Sequence, residues 1–152
     1  MSDLILRDAT RADLPAILAM LAEDTIPPDR ETGPGDPCYL AAFEAIDADP
    51  NQHLIAAELD GRVVGTMQLS FLPGLSFRGS WRGLIEAVRI ASDLRGRRLG
   101  ERMILWAVEQ CRARDCKLVQ LMSSATRTDA HRFYARLGFA ASHVGMKLHL
   151  KD

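Results

Sequence analysis

No apolar run in this chain approaches the ~20 residues needed to span a bilayer, so a membrane-spanning helix is not expected. The opening residues Met1-Ser2-Asp3-Leu4-Ile5-Leu6-Arg7-Asp8 lack the basic-then-apolar form of a secretory signal. Cysteine is sparse. Cys38, Cys111 and Cys116 are an odd, widely spaced set with no C-x-x-C pair, which argues against a disulfide framework and for free thiols in a reducing cytoplasm. His143 and His149 have no metal-ligand spacing with each other or with His53, so no metal is expected. Neither the Walker A spacing nor G-x-G-x-x-G occurs, which weakens nucleoside-triphosphate and dinucleotide readings. Without repeats, low-complexity stretches or linkers, the 152 residues read as one domain spanning 1–152.

What is present is an ordinary globular composition, 47% apolar and 26% charged, with a net charge of −1 that hides an asymmetry. Residues 1–60 carry nine Asp and four Glu against Arg7, Arg11 and Arg30, whereas residues 61–152 carry sixteen bases against seven acids. A basic second half suits an anionic ligand, an acidic first half a cation, and salt-bridged solvated faces would also produce the split.

The basic half concentrates its charge in Arg95-Gly96-Arg97-Arg98-Leu99-Gly100-Glu101-Arg102. Leu99, Met103, Trp106, Ala107 and Cys111 recur at roughly helical spacing, so a helix begins near Arg98 and Leu99, directly after a strand running 84–90. A helix start leaves about four backbone N–H groups unpaired and adds partial positive charge. Gly96 and Gly100 allow close approach to the main chain, and four arginines supply cations. These features describe a pyrophosphate cradle.

Taken in order, a short strand around Leu4 and Leu6 precedes a helix capped by Thr10 or Asp13, with Ile17, Leu18 and Leu21 on its apolar side. Residues 23–37 hold four prolines, two glycines and five acids, making an acidic loop. A helix over 39–46 follows, then strands 53–59 and 62–71 joined through Asp60-Gly61, a hairpin signal. After the helix that starts at Leu99 come a strand at 117–122 and a helix capped by Thr126 or Thr128 and stopped by Gly138. Phe139 and then 144–150 are expected as the last strands. The order implies a three-layer α+β domain, α/β/α, with a mixed, mostly antiparallel sheet.

Two segments resemble the GNAT (Gcn5-related) N-acetyltransferase family, and the likeness covers nearly the whole chain. Arg95-Gly96-Arg97-Arg98-Leu99-Gly100 resembles the acyl-CoA loop Q/R-x-x-G-x-G/A. Ala130-His131-Arg132-Phe133-Tyr134-Ala135-Arg136-Leu137-Gly138-Phe139 resembles A-x-x-F-Y-x-x-x-G-F. Arg98 departs from the first motif by replacing its first Gly. Arg127 stands where the family often has Asn three residues before the alanine, and no role is carried onto it.

The resemblance implies acetyl-CoA as co-substrate, its pantetheine paired with main-chain groups of Val88, Arg89 and Ile90. Its pyrophosphate would lie on backbone donors from Gly96 to Glu101, within the loop Arg95, Gly96, Arg97, Arg98, Leu99, Gly100 and Glu101. It implies direct attack by a primary amine in a ternary complex. Amine transfer needs a proton acceptor and a proton donor for the leaving thiolate. Glu86, a carboxylate in the otherwise apolar strand 84–88, suits a general base, with an ion pair to Arg82 as the structural alternative. Tyr134, protonated at neutral pH by its reference pKa of ~10, suits the general acid, with packing as the alternative. Cys111 falls on the core face of its helix and reads as a structural thiol.

The acceptor side implied by the family is 23–39 plus 71–82. The acidic loop there suggests a cationic small-molecule amine. Arg78 and Arg82 pull towards an acceptor bearing a carboxylate, phosphate or phosphonate, such as an aminoalkylphosphonate, and a protein amine is a further alternative. By analogy a homodimer is expected, with Phe77, Trp81 and the final strand as its patch. A non-catalytic acyl-CoA-binding domain is the rival from another class and predicts binding without turnover. Nucleic acid is not expected as a partner, because no recognised binding motif accompanies the basic residues, and neither is a membrane.

Overall fold

The Asp60-Gly61 pair takes φ of 52° and 78°, the left-handed values a two-residue type I′ hairpin turn requires. It joins β2 (Gln52–Leu59) to β3 (Arg62–Pro73) in the computed structural model, which describes residues 3–23, 25 and 27–151. Asp24, one of the five acids of the acidic loop, lies outside the described residues. With β1 (Ile5–Asp8), β4 (Trp81–Ile90) and β5 (Leu118–Leu121), these strands form one sheet in the order β1-β2-β3-β4-β5. The first three pairings are antiparallel and β4–β5 is parallel.

Strand alternation divides the core into two layers. Ile55 and Ala57 pack with Met67, Leu69, Ile85 and the buried stripe Met103, Ile104, Ala107 and Cys111 of α4 (Leu99–Ala113). The intervening Leu54 and Ala56 face the other way, against Ile17 and Met20 of α1 (Leu14–Ala22). The helices α1 and α2 (Pro37–Ala48) therefore cover one face and α4 the other, the three-layer arrangement expected from the order of elements. On β4, Gly83 makes the close approach of α4 possible, since a Cβ there would overlap Cys111 Sγ. Burial pushes the Cys111 thiol up to about 12, which leaves it protonated and inert.

The two residues proposed as caps of the first helix each precede a helical element, without a side-chain bond from Asp13 to the first turn of α1. Thr10 precedes a 3₁₀ turn over Arg11–Asp13, and Asp13 precedes α1. Asp13 is 7% exposed and accepts from Arg7 at 2.7 and 3.0 Å and from the Thr10 N–H at 2.7 Å. The Arg7 hydrogen bonds hold its carboxyl down at about 2 despite burial. A depressed folded value gives stability above the ordinary carboxylate range, lost as pH falls through about 2. Asp13→Asn is expected to cost about 2 kcal/mol at neutral pH. Urea midpoints measured against pH should converge on wild type below the carboxylate range, and parallel curves would contradict this role.

Three features differ from expectation. The short segment α3 (Ser76–Gly79) interrupts the β3–β4 connection with Phe77 and Arg78 at left-handed φ of 52° and 61°. Residues 139–151 form no strand, contrary to the assignment of 139 and 144–150. Their apolar alternation is that of a strand, but strand formation needs a paired edge, and none of the described strands takes this segment as a neighbour. Finally, α5 (Thr128–Arg136) is preceded by Arg127 rather than capped by a threonine side chain, and Gly138 at φ 99° follows its end.

Candidate active site

The parallel ladder between β4 and β5 stops at Ile85↔Leu121, although β4 continues to Ile90. The two strands part there, leaving the β5-facing edge of residues 86–90 free to pair with an extended ligand. Val88, Arg89 and Ile90, expected at the pantetheine, sit half-buried along this edge. One of their carbonyls is engaged within the protein, as Arg89 Nη1 donates to Val88 O at 3.0 Å.

The chain leaves β4 through the arginine loop. Arg62 forks onto Asp93 at 2.8 and 2.9 Å and ties the loop's start to the β2–β3 hairpin, while Arg95 lies 3.6 Å from Glu23. Gly96 takes φ 84° and Arg98, in the position before α4, takes 61°. Leu99, Gly100 and Glu101 open α4 with N–H groups that have no intrahelical acceptor. The first return bond is Arg102 N to Arg98 O at 3.2 Å. Arg97 and Arg98 are exposed beside these donors, an arrangement suited to pyrophosphate. Close main-chain approach belongs to Gly96 rather than to Gly100, where an added Cβ would make ordinary contact with Phe133 at 3.7 Å.

The left-handed φ at Arg98 is the conformation that suits the motif's glycine, so this chain's departure from it carries a cost. That backbone cost, about 1 kcal/mol, is the one glycine would avoid. Arg98→Gly is expected to raise the melting temperature slightly and weaken acetyl-CoA binding several-fold through loss of the cation. Thermal melts with and without acetyl-CoA check both, and tighter binding by the variant would contradict a role for the guanidinium.

A bulge in β4 assembles the other half of the site. Gln68 pairs with Glu86 and Thr66 with Arg89, so three residues of β4 span two of β3, with Ala87 at φ 54°. Directly paired residues share a face, and Thr66 pairs in turn with Ala56 on the α1 side. Glu86 and Arg89 therefore both face the α1–α2 layer, where regular alternation would have put them on opposite sides. Glu86 is exposed and makes no hydrogen bond or ion pair with another described residue, including Arg82. Along β4, Arg82 is roughly 23 Å from Arg89 at about 3.3 Å per residue, which removes Arg78 and Arg82 from this end of the sheet.

Arg89 is the electrostatic centre. Burial, then the neighbouring guanidinium groups of Arg30 and Arg127, push it below the ordinary arginine range, with Glu31 as a partial counter-charge. A guanidinium stays charged in proteins, so this is a cation only partly compensated by Glu31, which an anion would relieve. Tyr134 belongs to the same neighbourhood. Burial raises its phenol above the usual value, while Arg127 and then Arg89 pull it back. Its ring packs edge-on against Phe133 and Phe139 at 5.1 and 5.9 Å between centroids. Its hydroxyl has no hydrogen-bond partner among the described residues.

The acids of the α1–α2 loop are mostly committed elsewhere. Glu31 holds Arg30 at 2.8 Å and accepts from the Tyr39 hydroxyl at 3.1 Å, Asp36 accepts the Cys38 N–H at 2.9 Å as the α2 cap, and Glu23 faces Arg95. Arg30 and Arg127, which act electrostatically on Arg89, are not among the candidate residues expected from sequence. Arg30 is masked in sequence by the acids around it, and the only signal for Arg127 was its replacement of the common Asn. Two hollows beside His53 contain none of Glu86, Arg89 or Tyr134. Among the described residues there is no His/Cys/Asp/Glu cluster that could hold a metal, and no helix is long and apolar enough to cross a membrane.

Comparison with known proteins bears on this geometry. The model of the acetyltransferase (GNAT) family matches residues 15–139. The chain is 31% identical over 138 residues to an aminoalkylphosphonate N-acetyltransferase of Salmonella typhimurium, covering 91% of this chain and 86% of that one. It is 36% identical over 90 residues to a glucosamine 6-phosphate N-acetyltransferase of Trypanosoma brucei brucei, 59% of each chain. A solved structure described as a transcriptional regulator from Bacillus halodurans C-125 superposes with a TM-score of 0.93 at 41% identity, covering 97% of this chain and 100% of that one. A parted β4–β5 edge, an arginine-rich helix start and a half-buried tyrosine on the far helix thus meet in a chain that belongs to the GNAT family of acetyl-CoA-dependent N-acetyltransferases.

Proposed function

We propose that the acceptor is a small primary amine carrying a phosphonate, phosphate or similarly charged group a few bonds from its nitrogen. The observation that carries this reading is the half-buried Arg89, flanked by Arg30 and Arg127 on the same side as Glu86 and beside Tyr134. Arginine is suited to bidentate recognition of such anions. The engagement of Glu23, Glu31 and Asp36 by protein partners weighs against the cationic acceptor that the acidic loop suggested. The curated relatives named for aminoalkylphosphonate and glucosamine 6-phosphate acetylation support an anionic amine.

The free edge of β4 at Val88, Arg89 and Ile90 holds the pantetheine, and the loop from Arg95 to Glu101 holds the pyrophosphate. Glu86, directly or through water, accepts the proton of the acceptor ammonium. The neutral amine attacks the acetyl carbonyl, and the new C–N bond forms as the C–S bond breaks. Tyr134 gives its proton to the departing sulfur, and the surplus proton on the attacking nitrogen passes through water to the tyrosinate, yielding free CoA, the neutral acetamide and a reprotonated Tyr134. A screen reading free CoA release across polyamines, aminoalkylphosphonates, phosphorylated amino sugars and lysine peptides tests the acceptor class. Turnover confined to polyamines or peptides would overturn it.

A further inference from the structure

Burial first, and then the charge of Arg30, push Arg89 below the ordinary arginine range. The two guanidinium groups repel, so something must hold the α1–α2 loop in place against that repulsion. Glu31 is placed to do so. Its side chain is 25% exposed, its Oε2 accepts from Arg30 Nε at 2.8 Å, and its charge also acts on Arg89. Its Oε1 accepts from the Tyr39 hydroxyl at 3.1 Å. Arg30 spends only Nε on this contact, and its terminal nitrogens bond no other described residue.

Tyr39 supplies the fixed point. It lies in the first turn of α2, where Pro37 opens the helix and Asp36 accepts the Cys38 N–H at 2.9 Å. The hydroxyl that donates to Glu31 also accepts the Thr32 N–H at 2.8 Å. One phenol therefore ties two successive loop residues to a capped helix that packs on β2. The loop closes on either side through turns, with the Arg30 N–H donating to Pro27 O at 3.1 Å and the Asp36 N–H to Gly33 O at 3.0 Å. A continuous line runs from the helix through Tyr39 and Glu31 to the Arg30 guanidinium.

We propose that Tyr39 and Glu31 are positioning residues that hold the Arg30 fork beside Arg89, so that the anion of the acceptor meets two guanidinium groups rather than one. The inference rests on the anionic-acceptor reading and adds a selectivity to it. A phosphonate has three oxygens to share between two forks, whereas a carboxylate has two and is satisfied by one. Neither Tyr39 nor Glu31 touches the acceptor in this arrangement. They act through Arg30, by setting where its charge stands.

The test measures kcat and KM for an aminoalkylphosphonate, the aminoalkanoate of equal length and the plain alkylamine. Tyr39→Phe keeps the ring and removes only the hydroxyl. It should raise KM for the phosphonate about tenfold, the size of one hydrogen bond to a charged group, with kcat little moved. The carboxylate should lose less and the alkylamine least. In an Arg30→Met background the same substitution should add nothing, because both changes break one line of contacts. An acetyl-CoA-induced thermal shift retained by each variant shows that it is folded. A phosphonate preference undiminished in Tyr39→Phe would overturn the relay and leave the acceptor reading standing. So would an equal loss for all three acceptors, or a full further loss in the Arg30→Met background. Equal turnover of the three acceptors by wild type would overturn the acceptor reading, and the relay with it.

Discussion

Tyr134→Phe is expected to lower kcat by roughly 10²–10⁴-fold while leaving the acetyl-CoA Kd nearly unchanged, the size typical of a lost general acid. The substitution keeps the ring that packs on Phe133 and Phe139 and removes only a hydroxyl with no partner among the described residues. Stability should therefore change little. Burial keeps the phenol protonated well past neutral pH, so the proton needed by the leaving thiolate is available throughout the working range. Wild-type kcat should decline only when the phenol ionises, above the ordinary tyrosine range, and that decline should be absent from the variant's residual activity. Rapid-quench and steady-state measurements across pH check this. Unchanged kcat in the variant would reduce Tyr134 to packing.

Arg89→Met is expected to lower kcat/KM for an aminoalkylphosphonate about 100-fold, mainly through KM. Losing a charge-assisted hydrogen bond to a desolvated anion costs about 2–3 kcal/mol, and each 1.4 kcal/mol is tenfold. Methionine keeps much of the stem while removing one of the crowded guanidinium groups, so folding should not suffer. Turnover of an uncharged amine of the same length should fall far less, because that acceptor never used the cation. Because Arg89 Nη1 also holds Val88 O, acetyl-CoA affinity is measured alongside. A loss equal for both acceptors would assign Arg89 to the donor half instead.

The candidate donor half is legible in sequence because it is local. The helix start, the glycine at positive φ and the arginines all fall between Arg95 and Arg102 and need no distant partner. The acceptor half is not. Arg30 comes from the α1–α2 loop and Arg127 from the approach to α5, and nothing along the chain announces that both act electrostatically on Arg89. The bulge at Ala87 hides the rest, since regular alternation assigns Glu86 and Arg89 to opposite faces. The acidic loop cannot be read for its acceptor from composition alone. Its charge is countable, but the bonds that tie Glu31 to Arg30 and Tyr39, and Asp36 to the start of α2, are local and capping contacts that composition does not record. At 144–150 the strand pattern was readable while its partner was not, because pairing is a property of two segments.

The most direct test of the account is a matched pair of acceptors that differ only in the anion, an aminoalkylphosphonate and the alkylamine of equal length. Their kcat/KM values are compared in wild type and in Arg89→Met at controlled ionic strength. The account predicts a wild-type preference of about 100-fold for the phosphonate that nearly vanishes in the variant. Equal turnover of the two acceptors by wild type, or a preference undiminished by Arg89→Met, would contradict it.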